Sequence, residues 1–390
     1  MTRVLFYLPV VTPWWFDNIV AHLIDSLSVE AEVHVLAPIP WRNTGVGPDQ
    51  VRKVAAVGGV HWHIVDAEGH QSLRTAPGDA DGVVEFVRSI APDYVLCRSA
   101  DIATPARFPG RLVHLMEAGA PPFPTDPGWI VLQKDFWHHG ALPPVPDADR
   151  EAIDAEFADI WRAMRDPLCH RDQFGLPRGE ALAAMGLPAD RKIIALPLEY
   201  EHEEAFTQFH GRFARNLDLV AHVAGRLSGD HVLAITNHPL NYRYAHDPCL
   251  EDAIGALGGR AHLVPNPDAC NLPTDWLIRN CDGLIVQNTK AIYSGAFFGK
   301  PVLRLSRRPS AGWLRVSGDM EHFLGRIGAG DGVAEDRARR WFGHHLLHET
   351  FDAATISGAE LLDRIDRPFA ATRIAAGRGR LEAYMRGIAA

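Results

Sequence analysis

The 390-residue chain has only five cysteines, Cys97, Cys169, Cys249, Cys270 and Cys281, widely spaced and without a C-x-x-C pair. That scarcity excludes a disulfide framework and a thiolate zinc site, and it fits a reducing compartment. No apolar stretch approaches the about 20 residues that a bilayer-spanning helix needs. Met1 to Trp15 carries one Arg, an apolar run broken by Pro9 and Pro13, and no small-residue cleavage site, so it reads as a first buried strand rather than a signal peptide. Positive charge is not in excess: 39 Lys and Arg stand against 48 Asp and Glu, a formal net charge of -9, which argues against a nucleic-acid partner. The glycine-rich run Thr44 to Asp49 lacks the third glycine of a dinucleotide fingerprint and does not open from a strand. A G-x-S-x-G elbow and a P-loop are absent as well, which removes the commonest hydrolase and NTPase signatures. The expectation is a cytoplasmic protein that needs neither a resident cofactor nor a metal.

What is present is the profile of a soluble globular protein, 47% hydrophobic and 22% charged. The length suggests two domains. Strand-like apolar runs alternate with helical patterns, the mark of parallel sheets flanked by helices. In the first half the strands are Val4 to Leu8, Val33 to Ala37, His61 to Val65, Tyr94 to Cys97, Leu112 to Leu115 and Trp129 to Leu132, with helices at Phe16 to Leu27 and Gly82 to Ile90. A proline- and aromatic-rich border runs from Pro121 to Pro146, and a long helix follows from Ala148 to Met164. The second series has strands at Lys192 to Leu198, His231 to Thr236, Ala261 to Val264, Gly283 to Gln287 and Val302 to Leu305. Its helices are expected at Phe206 to Leu227, Leu250 to Leu257 and Pro273 to Asn280, and the chain beyond Val333 reads as helical. The division expected is 1–165, 166–335 and a helical 336–390 that can pack back on the first domain. Ligands of such sheets bind outside the carboxyl ends of the strands, where the strand order reverses.

Two strand ends carry the most chemistry. Asp282 to Leu305 runs from an apolar strand into Asn288 and Thr289, both able to cap a helix; Gly299 can take a left-handed end and Pro301 opens the next strand. Free N–H groups and the helix dipole at that point suit a phosphate, although an ordinary crossover has the same pattern. His231 to Tyr244 ends a buried strand in Asn237, His238 and Pro239, and the proline restricts His238 to extended geometry at a cleft edge. The imidazole can donate to a phosphate or leaving group, or be a surface-turn histidine.

The strand ending in His238-Pro239, together with the later Asn288-Thr289 and Gly299-Lys300-Pro301-Val302, resembles the bacterial capsular polysaccharide biosynthesis glycosyltransferases, the group that includes the Kdo transferases of capsule export. Two further stretches are similar: IIALPLEYEHEEAF (Ile193 to Phe206), with Glu199 in place of the family's glutamine, and LMEAGAPPFPTDPGWI (Leu115 to Ile130). The resemblance implies a GT-B fold, two Rossmann-like domains facing across a cleft, with a nucleotide-sugar co-substrate held by the C-terminal domain. It implies His238 and Pro239 facing the donor phosphate, Asn288 and Thr289 receiving it, and Glu117 standing opposite, near the reacting carbon. Where the family often continues with a glycine and a glutamate, this chain has Lys290, Ile292 and Ser294, which leaves the nucleotide open. A CMP-linked acidic sugar such as Kdo is the donor implied, with a saccharide or glycolipid acceptor.

Glycosyl transfer needs a carboxylate on one side of the sugar and stabilisation of a departing phosphate on the other. Glu117, just past an apolar strand, can be the base, a nucleophile if configuration is retained, or a solvated loop glutamate. Lys290, Arg304, Arg307 and Arg308 cluster around the phosphate end and can neutralise it or stay in water. Glu199, Glu201, Glu203 and Glu204 can meet sugar hydroxyls or favour a helix start. His344 and His348 share a helix face but lack the H-E-x-x-H order, so they read as exposed histidines of an amphipathic helix. His61 and His63 flank Trp62 at strand spacing and read as structural. The basic C-terminal helix, with Arg373, Arg378, Arg380 and Arg386, can touch anionic lipid at the inner membrane or turn inward. The alternatives are a nucleotide-sugar 2-epimerase or polyol-phosphate transferase on the same scaffold, or a non-catalytic two-lobed binding protein.

Overall fold

The computed structural model describes residues 1–41, 44–54, 58–65, 77–134, 138–170, 176–201, 209–266 and 272–389. The chain divides into two compact units: Met1–Gly119, Thr125–Phe136 and His345–Ala390 form one, Ala120–Pro124 and Trp137–His344 the other. Helix Asp147–His170, which the sequence division cuts at 165, belongs to the second unit. There Trp161 and Phe157 join Phe123, Phe297 and Phe342 in an aromatic cluster.

In the first unit the strands are β1 (Arg3–Tyr7), β2 (Glu32–Pro38), β3 (Val60–Val65), β4 (Tyr94–Cys97), β5 (Arg111–Glu117) and β6 (Trp129–Gln133). Strands β1 to β5 are parallel in the order β3-β2-β1-β4-β5, and β6 adds antiparallel to β5. The second unit has β7 (Lys192–Pro197), β8 (His231–Thr236), β9 (Ala261–Leu263), β10 (Gly283–Val286) and β11 (Val302–Arg304), all parallel in the order β9-β8-β7-β10-β11. A two-residue β12 (Phe351–Asp352) returns to pair antiparallel with β6. Each unit thus carries five parallel strands in the doubly wound order, the α/β class read from the alternation.

The central strands are apolar without alternation because both faces are covered. On β1, Val4 and Phe6 pack under Ile19, Leu23 and Ile24, with Leu361 and Ile365 of helix Gly358–Asp366. Leu5 and Tyr7 face the other way, onto Val84, Val87 and Ile90 of helix Ala80–Ile90. In the second unit Ile194, Leu196, Leu233 and Ile285 pack with Leu219 and Val223, with Leu250 and Ile254, and with Phe323 and Ile327. Asp79 caps helix Ala80–Ile90 by accepting from the Gly82 amide at 2.8 Å.

Two expectations are corrected. Where a helix is expected over Phe206 to Leu227, one spans Asn216–Ala224; 202–208 lie outside the described residues, 209–210 are helical, and the chain leaves that helical stretch at Gly211. Arg212 N–H donates to Leu305 O at 3.1 Å and Arg307 N–H to His210 O at 2.8 Å, so this stretch zips onto the loop after β11 instead of coiling. His344, His345 and His348 are buried rather than exposed. His345 Nε2 lies 2.9 Å from Ala118 O, and His348 Nε2 accepts from the Ala370 amide at 3.0 Å, which gives each of these two imidazoles a partner inside. Of the two readings of the closing helix Thr372–Ala389, the structure shows the inward one for part of its basic face: Arg373 is buried on Asp363, and Arg380 lies over the Trp129 ring at 5.2 Å. Among the described residues no helix is long and apolar enough to cross a membrane.

Candidate functional site

In the second sheet the order reverses between β7 and β10, and the crevice beyond the carboxyl ends at such a reversal is where sheets of this class bind ligands. Glu199 leaves the end of β7 there and is buried. Its Oε1 accepts from the amides of Asn288 (2.8 Å) and Thr289 (2.9 Å), which follow β10. The N–H groups that the sequence offers to a phosphate are therefore already taken, by a carboxylate of the chain itself. Burial is the main cause pushing the Glu199 carboxyl up to about 7, while those two amides and the Arg304 charge pull the other way. Its backbone is fixed as well: Glu199 N–H donates to Asn216 Oδ1 (3.2 Å), and its carbonyl accepts from Asn216 (2.9 Å) and Asn241 (2.8 Å). Glu203 and Glu204 lie outside the described residues.

The Asn288 side chain is buried beneath the crevice, its Oδ1 accepting from Ser306 Oγ (2.6 Å) and Arg304 Nη2 (3.2 Å). Arg304 ends β11 and shapes the next loop by donating to Gln287 O at 3.0 Å and to Pro309 O at 2.5 Å. Desolvation lowers its guanidinium to about 10, against the opposing pull of Tyr293 and Glu199. Ser294, wholly buried in helix Ala291–Phe297, donates to Asp275 Oδ1 at 2.5 Å, which gives it a place inside the unit and no face toward a ligand. Thr289 Oγ1 accepts from the Ala291 amide at 3.2 Å, and Gly299 closes the segment at φ 66°.

What the crevice leaves within reach of solvent is His238, Pro239, Thr289, Lys290 and Arg308, all partly exposed. His238 is extended (φ -68°, ψ 136°) before Pro239, and its Nδ1 accepts from the Leu240 amide at 3.2 Å. That bond fixes the neutral tautomer with its proton on Nε2. Burial lowers the imidazole to about 4, so at neutral pH the ring is an uncharged N–H donor, stacked on Tyr200 with centroids 5.6 Å apart. Arg308 reaches His210 Nδ1 at 3.3 Å.

Glu117 ends β5 in the first unit, where Arg98 Nη2 holds its carboxylate at 2.5 Å and Leu115 O accepts from Arg98 Nη1 at 3.2 Å. Arg98 follows β4, beside the reversal between β1 and β4, and lies over the Trp15 ring at 3.9 Å. Arg98, Trp15, Asn216, Asn241 and the buried His139, stacked on Tyr293 at 5.7 Å, belong to these contacts without being singled out by the sequence. A signal existed for one of them: Asn241 stands four residues after Asn237, whose Oδ1 it reaches at 2.7 Å.

No family model matches the sequence, nor does any curated protein. Among solved structures the chain is similar to KpsC, a β-Kdo 2,7 transferase of Thermosulfurimonas dismutans, at 13% identity over 94% of this chain and 99% of that one, TM-score 0.46. It is similar to a glycosyltransferase of Rickettsia africae at 9% identity, over 94% and 98% of the two chains, TM-score 0.35. With the ADP-heptose heptosyltransferase II of E. coli the identity is 10% over 98% and 100%, TM-score 0.24. Scores below 0.5 assign no role to any residue here.

Proposed function

We propose that the chain is a nucleotide-sugar-dependent glycosyltransferase of GT-B type, which moves a sugar to a surface saccharide or glycolipid acceptor. We propose in addition that the donor is a CMP-linked acidic sugar such as Kdo, following the sequence resemblance of the His238-Pro239 and Asn288-Thr289 segments. The observation that carries the reading is the state of His238: a neutral Nε2–H donor held by the Leu240 amide beside the strand-order reversal. The Nε2–H can donate to a phosphate oxygen, and the partly exposed Lys290 and Arg308 supply positive charge at neighbouring strand ends.

In the reaction the acceptor oxygen bonds to the anomeric carbon as the bond from that carbon to the phosphate oxygen breaks. The electron pair leaves with the nucleotide, where His238, Lys290 and Arg308 stabilise its charge. Glu117 takes the acceptor's proton if configuration inverts, or bonds to the anomeric carbon first if it is retained. Glu199 acts on positions rather than on substrate: it ties the start of the β10 crossover to the end of β7.

The test is release of nucleotide from CMP-, UDP- and GDP-sugars, with and without saccharide acceptors. The proposal expects slow release that acceptor accelerates, and loss of turnover in a Glu117→Ala protein that still folds. Unchanged turnover in that variant removes Glu117 from the mechanism; interconversion of the sugar at C2 without transfer makes the chain an epimerase instead.

A further inference from the structure

We propose that Glu32, His34 and His61 form a binding site for a divalent transition-metal ion of the zinc class, which ties the edge strand β3 to β2. The sheet itself builds the cluster. Strands β2 and β3 run parallel with His34 beside His61 and Leu36 beside His63. Side chains two residues apart share a face. Glu32 and His34 therefore stand on one strand, His61 and His63 on the next, on the face opposite the buried Val33 and Val35.

The spacing fits a metal. Bonds of 2.0–2.1 Å at tetrahedral angles set neighbouring donor atoms about 3.3 Å apart. Glu32 Oε1 lies 3.1 Å from His34 Nε2 and 3.5 Å from His61 Nε2, and the three atoms fall within 4.8 Å of one another. Among the described residues this is the one group of three or more His, Cys, Asp or Glu donors that meets that spacing.

The surroundings orient His34 and Glu32 as metal ligands need, and His61 lies stacked on His34 with ring centroids 4.7 Å apart. His34 Nδ1 lies 3.0 Å from His63 Nε2, so a proton on Nδ1 is accepted by His63 while Nε2 turns its lone pair to the ion. Arg3 Nε donates to Glu32 Oε2 at 3.2 Å, which fixes that carboxylate and leaves Oε1 for the site. Phe86 of helix Ala80–Ile90 packs edge-on against His63 at 5.1 Å and walls one side. His61 is exposed and His34 buried, so an ion enters from solvent and seats against the sheet. Two imidazoles and one carboxylate select a nitrogen-seeking ion over magnesium or calcium, which take oxygen ligands. The cluster sits at the amino ends of its strands, away from the carboxyl ends where ligands of such sheets bind, so its role is to hold an edge strand in place.

The test is titration of the chelator-stripped full-length protein with ZnCl2, by calorimetry and by the zinc-dependent rise in melting temperature, with CoCl2 as an optical probe. The proposal expects one equivalent bound in the presence of excess MgCl2, a visible cobalt spectrum of nitrogen and oxygen ligation, and an affinity at least 10-fold weaker in both His61→Ala and Glu32→Gln. His61 is exposed, so that variant folds, and the exposed His322→Ala serves as a control that leaves binding unchanged. Absence of zinc uptake by the wild-type chain, or the same affinity in His61→Ala, overturns the proposal.

Discussion

Glu199 shows how one buried carboxyl can be both a fastener and a titrating group. Its carboxyl ionises at about 7 in the folded chain against an ordinary 4.5, with burial as the main cause. Between those two values the unfolded chain has released a proton that the folded chain keeps. Stability from this group is therefore full below about 4.5, falls as pH rises to about 7, and is level above. The fall is on the order of 3 kcal/mol. Glu199→Gln keeps an oxygen to accept from the Asn288 and Thr289 amides and has nothing to titrate, so the drop in urea-unfolding free energy between pH 5 and 8 should shrink in the variant. An identical drop would contradict the assignment. His238 moves in the opposite sense: burial holds it at about 4, so its ring resonance should stay still between pH 5.5 and 8. A midpoint near its ordinary 6.5, followed by NMR, would place the ring in water instead.

At the scale of elements, the central strands were legible because both of their faces are buried, which leaves unbroken apolar runs that end in polar residues. Those polar residues, Glu117, Glu199, His238 and Asn288, are the ones that the structure sets at the carboxyl ends. The contacts between them were not legible, because the Glu199 bonds to the β10 crossover join residues 89 and 90 positions apart. For the same reason, histidines 344 to 348 read as a solvated helix face, although their partners, Ala118 and Ala370 among them, come from other parts of the chain. Helix Thr372–Ala389 depends on one close approach: a Cβ on Gly377 would meet Leu347 O at 1.8 Å. Gly377→Ala should cost about 1–3 kcal/mol by overpacking, read as a lower urea midpoint. A variant as stable as the wild type would mean that the helix does not rest on Leu347.

At the scale of the whole chain, one strand order is used twice, with an order reversal in each sheet: Arg98 stands beside the first and Glu199 at the second. Arg98 turns to Glu117, and Glu199 turns to the amides after β10. The second reversal is thus closed by the chain's own carboxylate, and under the proposed function it is His238, with Lys290 and Arg308, that receives the nucleotide phosphate. Calorimetric titration of CMP, UDP and GDP into the wild-type protein and into His238→Ala tests this most directly. The account predicts that the wild type binds one of the three and that the variant binds it at least 10-fold more weakly. A wild type that binds none of them, or a dissociation constant unaltered by the substitution, would contradict it.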